Sequence, residues 1–168
     1  MWNDRFIDLF NRCVKRYRSG DTNFTRYYDD TRDADLLAEI GYKPREFFDF
    51  VEDYCEEGTP SPSTALLIAA ARRDYFQTVM GGRPGEKNLT AGDIPTFGDE
   101  LEGIAYLPRI LAKARAKLRG ELDPDLMYGC GGDRAFLLRN GDRHPADFLR
   151  QVWAAGENSS KLVAWLRS

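Results

Sequence analysis

The sequence predicts an all-α fold built from two diverged four-helix modules packed into one compact body. Three observations predict it. Apolar residues recur at three- and four-residue spacing along nearly the whole chain. No stretch alternates apolar and polar residues as a half-buried strand would. The two halves also share landmarks about 100 residues apart, the mark of an internal repeat.

A first helix is expected over residues 4–18, with Phe6, Leu9, Phe10, Cys13 and Tyr17 on one face and Ser19-Gly20-Asp21 as its stop. A short helix over residues 33–40 ends at Gly41. Pro44 opens the next at a position where a missing N–H costs nothing, and Glu46 in its first turn suits the helix dipole. Phe47, Phe48, Val51 and Tyr54 form its apolar stripe. After the break at residues 58–60, Ser61-Pro62 starts a fourth helix reaching Met80. Its residues 65–71 are apolar on every side, which places it at the centre of the core.

Residues 83–99, opening with Arg83-Pro84-Gly85, read as a linker between a first module (1–82) and a second (100–168). A long helix is expected over residues 100–119, kinked near Pro108 and stopped by Gly120. Residues 133–139 form a short helix capped by Asp133 and closed by Asn140-Gly141. Pro145 opens another, with Phe148, Leu149 and Val152 inward, and residues 160–167 form the last, carrying Leu162, Val163, Trp165 and Leu166. The aromatic stripes Phe47-Phe48-Tyr54 and Trp153–Trp165 read as core, not as a cofactor site, and no cofactor is expected.

The repeat aligns Gly20 with Gly120, Tyr28 with Tyr128, Asp33 with Asp133, Leu37 with Leu137 and Gly41 with Gly141. One residue later in register, Pro44, Glu46, Phe47 and Val51 meet Pro145, Asp147, Phe148 and Val152. Each pair does one physical job: helix stop, cap, proline start, acidic first turn or apolar stripe. Two such modules are expected to pack about a pseudo-two-fold axis.

Composition narrows the function classes. A formal net charge of −3 over 168 residues argues against a generally basic nucleic-acid binder. Cys13, Cys55 and Cys130 are odd in number and form no CxxC pair, which fits reduced thiols in a cytoplasm. The N-terminal residues Met1-Trp2-Asn3-Asp4-Arg5 lack a signal-peptide pattern, so the sequon Asn88-Leu89-Thr90 is not expected to carry a glycan. The run 65–71 is too short to cross a bilayer, and no membrane contact is expected.

The second half carries a resemblance. Gly103-Ile104-Ala105-Tyr106-Leu107-Pro108-Arg109, Lys113-Ala114-Arg115-Ala116-Lys117-Leu118 and Gly120 lead into Tyr128-Gly129-Cys130-Gly131-Gly132-Asp133-Arg134, and Leu162-Val163-Ala164-Trp165-Leu166 closes the segment. This pattern is similar to the bacterial family catalogued as domain of unknown function 5069. Members of that family more often read Cys-Pro-Leu-Asp where this chain has Cys130-Gly131-Gly132-Asp133. The resemblance supports the fold and leaves the activity open.

Two features could carry chemistry. Cys130 lies in a Gly-rich turn just before a helix, where backbone N–H groups favour an anion and a cysteine can become reactive. A cysteine nucleophile also needs a base, and the only histidine, His144, lies beyond the far end of that helix, about 15 Å away for ten residues. Cys130, Asp133, Asp142 and His144 are metal-ligand types, but their spacing matches no known site, and no metal is expected. The other feature is the basic helix, where Arg109, Lys113, Arg115, Lys117 and Arg119 surround an apolar face of Ile110, Leu111, Ala114 and Leu118 without an interrupting acid.

The reading that follows is a non-catalytic module. It would bind an anionic small molecule or an acidic protein partner through the basic helix and the adjacent turn, with Tyr128 and Arg134 contributing. One alternative is an enzyme using Cys130 and Asp133, assisted by Arg109 or Arg134. Another is a nucleic-acid binder, whose affinity would fall steeply with salt. The sequence holds no P-loop, dinucleotide fingerprint or nucleophile elbow.

Overall fold

The structure, a computed structural model, describes residues 1–168 as two compact units, 1–84 and 85–168. It is mostly helical, with eight α-helices and one two-stranded sheet.

Unit 1 holds α1 (Trp2–Arg18), α2 (Thr31–Ile40), α3 (Pro44–Glu57) and α4 (Pro62–Thr78). Helix α1 packs on α3 and α4, and α2 packs on α4. The rings of Phe6, Phe10 and Phe47 lie fully buried, with Phe6 and Phe47 edge to face at 5.0 Å. Asp30 caps α2, and Gly41 ends it in the left-handed conformation at φ 81°. Against that glycine sits the fully buried Arg72, which donates to the Gly41 carbonyl at 3.0 Å and lies 4.9 Å over the Phe76 ring. Helix α4, expected at the centre of the core, buries one side only. Ala65, Ile68, Ala69 and Arg72 face inward, while Leu67 is 50% exposed on the opposite side of the 3.6-residue turn.

Unit 2 departs from the sequence reading at its start. Residues 100–106 are not helical: β1 (Glu100–Leu101) and β2 (Ile104–Ala105) pair antiparallel, with Glu100 opposite Ala105. Helix α5 (Leu107–Arg119) begins after Tyr106, and Pro108 is its second residue, not a kink. The reason is local. Glu102, Gly103 and Tyr106 all adopt positive φ, which a helix cannot contain, and Pro108 near the start lacks an N–H that would be unpaired there anyway.

Helices α6 (Gly131–Arg139), α7 (Pro145–Ala155) and α8 (Ser159–Arg167) complete the unit, with α5 packed on α7 and α7 on α8. Asp133 is the third residue of α6 and not its cap, which is Cys130. Trp153 and Trp165 are half-buried at the margin of the core, whose centre is Leu107, Ile110, Phe148 and Leu149.

Residues 85–99, read from composition as part of a linker, are tied to unit 2. Gly85 N–H donates to the Arg119 carbonyl at 3.2 Å, Leu89 N–H to Glu121 at 2.7 Å, and Ile94 is buried. A side chain on Gly85 would come within 2.6 Å of the Arg119 carbonyl, so only glycine permits this approach.

Candidate functional site

Three segments of unit 2 converge on one buried carboxyl group carried by α6. Asp133, completely buried, takes three donors. Lys113 Nζ from α5 reaches Oδ2 at 2.7 Å, the Gly129 N–H reaches the same oxygen at 2.8 Å, and the Tyr106 hydroxyl reaches Oδ1 at 2.7 Å. Lys113 is itself only 3% exposed, so both members of the ion pair have left water. Burial of that kind is sustained by saturating the hydrogen-bonding capacity of both partners. Lys113 uses a further donor on Cys130, with Nζ 3.3 Å from Sγ.

Tyr106 bridges this cluster to the surface. It sits at φ 73° just before α5, a conformation that costs a non-glycine residue about 1–3 kcal/mol and that clusters at functional positions. Its ring lies against Phe136 at 5.5 Å and Phe97 at 6.0 Å. Burial, and then the neighbouring Asp133 charge, push its phenol well above the ordinary range. A Cβ on Gly132 would stand 3.0 Å from the Tyr106 hydroxyl, so the Gly-rich turn and this ring are in direct apposition.

Beyond Phe97 lies Arg109. Its guanidinium carbon is 4.1 Å from the Phe97 ring centroid, NH1 donates to the Pro95 carbonyl at 2.9 Å, and Nε is buried with no hydrogen-bond acceptor. The Phe97 ring is 68% exposed. Arg134, on α6, donates to the Gly129 carbonyl at 2.8 Å and so braces the turn.

The basic residues of α5 therefore do not form one solvated face. Lys113 and Lys117 are buried, 3% and 2% exposed. Arg115 donates to the Gly156 carbonyl at 3.0 Å, closing the end of α7, and Arg119 Nε meets Glu121 at 2.8 Å. Tyr128 is buried with its hydroxyl on the Pro145 carbonyl at 2.7 Å, which ties the turn before α6 to the start of α7. The helical wheel locates these residues around α5 but carries no information on which polar positions meet a neighbouring element.

His144 caps α7, its Nδ1 accepting from the Ala146 N–H at 3.1 Å. No group of three or more His, Cys, Asp or Glu side chains is placed to hold a metal. The three thiols differ in setting. Cys13 is buried and its thiol is pushed up to about 12 by burial, Cys55 is raised for the same reason, and Cys130 is half-buried beside the Lys113 ammonium.

Sequence reasoning missed Tyr106 and Phe97. Phe97 fell in an apparent linker, and Tyr106 was absorbed into a helix it only precedes; the available signal was the Pro108 that follows it.

Residues 97–168 match the family described as Domain of unknown function (DUF5069), so the resemblance covers every side chain of this cluster from Phe97 to Arg134. No curated protein and no solved structure matches the chain.

Proposed function

We propose that unit 2 is a binding module for a small anion, a carboxylate or phosphate group, held by Arg109 and the first turn of α6, which Phe97 and Tyr106 connect. The observation that carries this reading is Arg109. Stacked on an exposed ring and anchored through NH1, it has little rotamer freedom left to lose, and its Nε still lacks an acceptor. The exposed Gly131 and Gly132 begin α6, and a helix N-terminus directs its N–H groups at anions. Lys113 offsets the Asp133 charge there, so the terminus keeps its positive character.

An acidic protein segment offering a carboxylate uses the same chemistry. The nucleic-acid reading ranks behind, because Lys113 and Lys117 lie inside. The enzyme reading ranks behind as well, because three donors already occupy the Asp133 oxygens.

The test is a thermal-shift series with inorganic phosphate, di- and tricarboxylates and nucleoside phosphates. A probe at 100 times its Kd adds about 2.7 kcal/mol, a rise in Tm of roughly 5–10 °C for a chain this size. The rise is expected to vanish in Arg109→Ala. A rise that survives Arg109→Ala, or none with any probe, sinks the reading.

The two units also read as diverged copies of one module. Supporting this, the hydroxyls of Tyr28 and Tyr128 donate to the carbonyls of Pro44 and Pro145, Gly41 at the α2 cap and Gly141 one residue past the α6 cap both adopt positive φ, and the third residues of α2 and α6 are aspartates paired with a cation from the first helix of their own unit. An experimental structure in which α2–α3 and α6–α7 superpose only with a different pairing refutes it. Three free cysteines suit a reducing compartment such as the cytoplasm, and no helix is long and apolar enough to cross a membrane.

A further inference from the structure

We propose that Lys113 and Cys130 form a peroxide-responsive pair that closes into a covalent sulfur–nitrogen bond. Three structural features prepare it. The reacting atoms are already 3.3 Å apart. The amine cannot swing away, because Lys113 is buried and Asp133 holds it at 2.7 Å. Cys130 is a half-buried residue next to two exposed glycines, a setting open to a small oxidant, while Lys113 is kept from water. Cys130 is the only cysteine of its unit, so no thiol of unit 2 competes for an oxidised sulfur.

The chemistry balances with hydrogen peroxide as the sole oxidant. The Cys130 thiol gives two electrons to peroxide: an S–O bond forms, the O–O bond breaks and one water leaves, giving the sulfenic acid. Such acids condense with thiols or with nitrogen. The Lys113 ammonium then passes one proton to Asp133 Oδ2, its hydrogen-bond partner. The freed amine lone pair attacks sulfur, the S–N bond forms, the S–O bond breaks, and the hydroxyl departs as water with a second proton from nitrogen. An external dithiol supplies the two electrons and the protons that reverse the closure. The product removes the Lys113 charge from beside α6 and protects the sulfur from further oxidation. None of this depends on anion binding at Arg109.

The reduced full-length protein is exposed to hydrogen peroxide, digested with chymotrypsin and analysed by mass spectrometry. The expected result is a joined pair of peptides, one containing Lys113 and the other Cys130, lighter than their sum by two hydrogens and separated by dithiothreitol. Dimedone added before the peroxide captures the sulfenic acid and suppresses the joined pair. Cys130→Ser and Lys113→Arg abolish it. Because Lys113→Arg disturbs a buried pair, the dimedone competition in the unaltered chain serves as the independent measurement. Recovery of Cys130 as free thiol, as a sulfinic acid or as a lasting dimedone-reactive species without the joined pair overturns the proposal. So does oxidation of Cys13 or Cys55 ahead of Cys130.

Discussion

Asp33 in unit 1 and Asp133 in unit 2 hold the same position, third in a short helix, and each receives a cation from the first helix of its unit. Their surroundings differ sharply. Arg12 meets Asp33 through both terminal nitrogens, at 3.0 and 2.8 Å, yet keeps 48% of its side chain in solvent and shares itself with Asp8. Lys113 meets Asp133 out of water, and a tyrosine and a backbone N–H complete the shell. One local pattern thus supports a half-exposed fork, with its cation in solvent, in one place and a sealed polar cluster in the other. The difference comes from what the hairpin and the Gly-rich turn bring over the carboxyl group.

The largest expected contrast follows from this. Asp133→Ala leaves a buried ammonium uncompensated and is expected to cost about 3–5 kcal/mol. Asp33→Ala removes a bidentate pair whose cation is still half in solvent, and should cost less, about 1–2 kcal/mol. Urea unfolding of the two variants measures both, and equal losses would break the comparison.

The helix-closing glycines give a second, smaller contrast. Alanine at Gly41 or Gly141 forces a side chain into the left-handed region, at about 1–2 kcal/mol. At Gly41 the new Cβ also stands 2.8 Å from the Arg72 guanidinium and the Phe76 ring, both buried, adding about 1–3 kcal/mol of overpacking. At Gly141 it meets the Arg143 side chain at 3.0 Å, an end that can shift. Thermal unfolding of Gly41→Ala and Gly141→Ala should rank them in that order; a larger loss at Gly141 would mean that Arg143 is held as rigidly as Phe76.

Tyr28 and Tyr128 should differ least. Tyr128→Phe removes a buried 2.7 Å hydrogen bond and should cost about 1 kcal/mol. Tyr28→Phe removes a more exposed 3.1 Å bond and is expected to cost roughly half as much or less. Denaturant midpoints of the two variants, compared with the parent chain, sharpen or erase this last difference.

Much of the fold was legible because its signals are local. Pro44 and Pro145 start helices, Gly41, Gly120 and Gly141 end them, and the apolar stripes of α1, α3 and α7 face inward as their spacing requires. Legibility failed where two local signals competed. Residues 100–106 carry helical spacing, but Glu102-Gly103 turns the chain back on itself and Tyr106 takes positive φ, so a hairpin forms instead. Residues 85–99 look like a linker by composition, yet Gly85, Leu89 and Ile94 fix them to unit 2 through contacts with residues far along the chain.

The sequence alone determined that the chain is helical, where most helices begin and end, and that a basic helix lies near a cysteine-bearing turn. These follow from periodicity and capping, which act over a few residues. Only the tertiary structure decided that Lys113 points inward to Asp133 and Cys130 while Arg109 lies flat on Phe97. On an isolated α5 both side chains would be equally solvated cations. Which one loses its water depends on the carboxyl group and the aromatic ring that the rest of unit 2 places beside it.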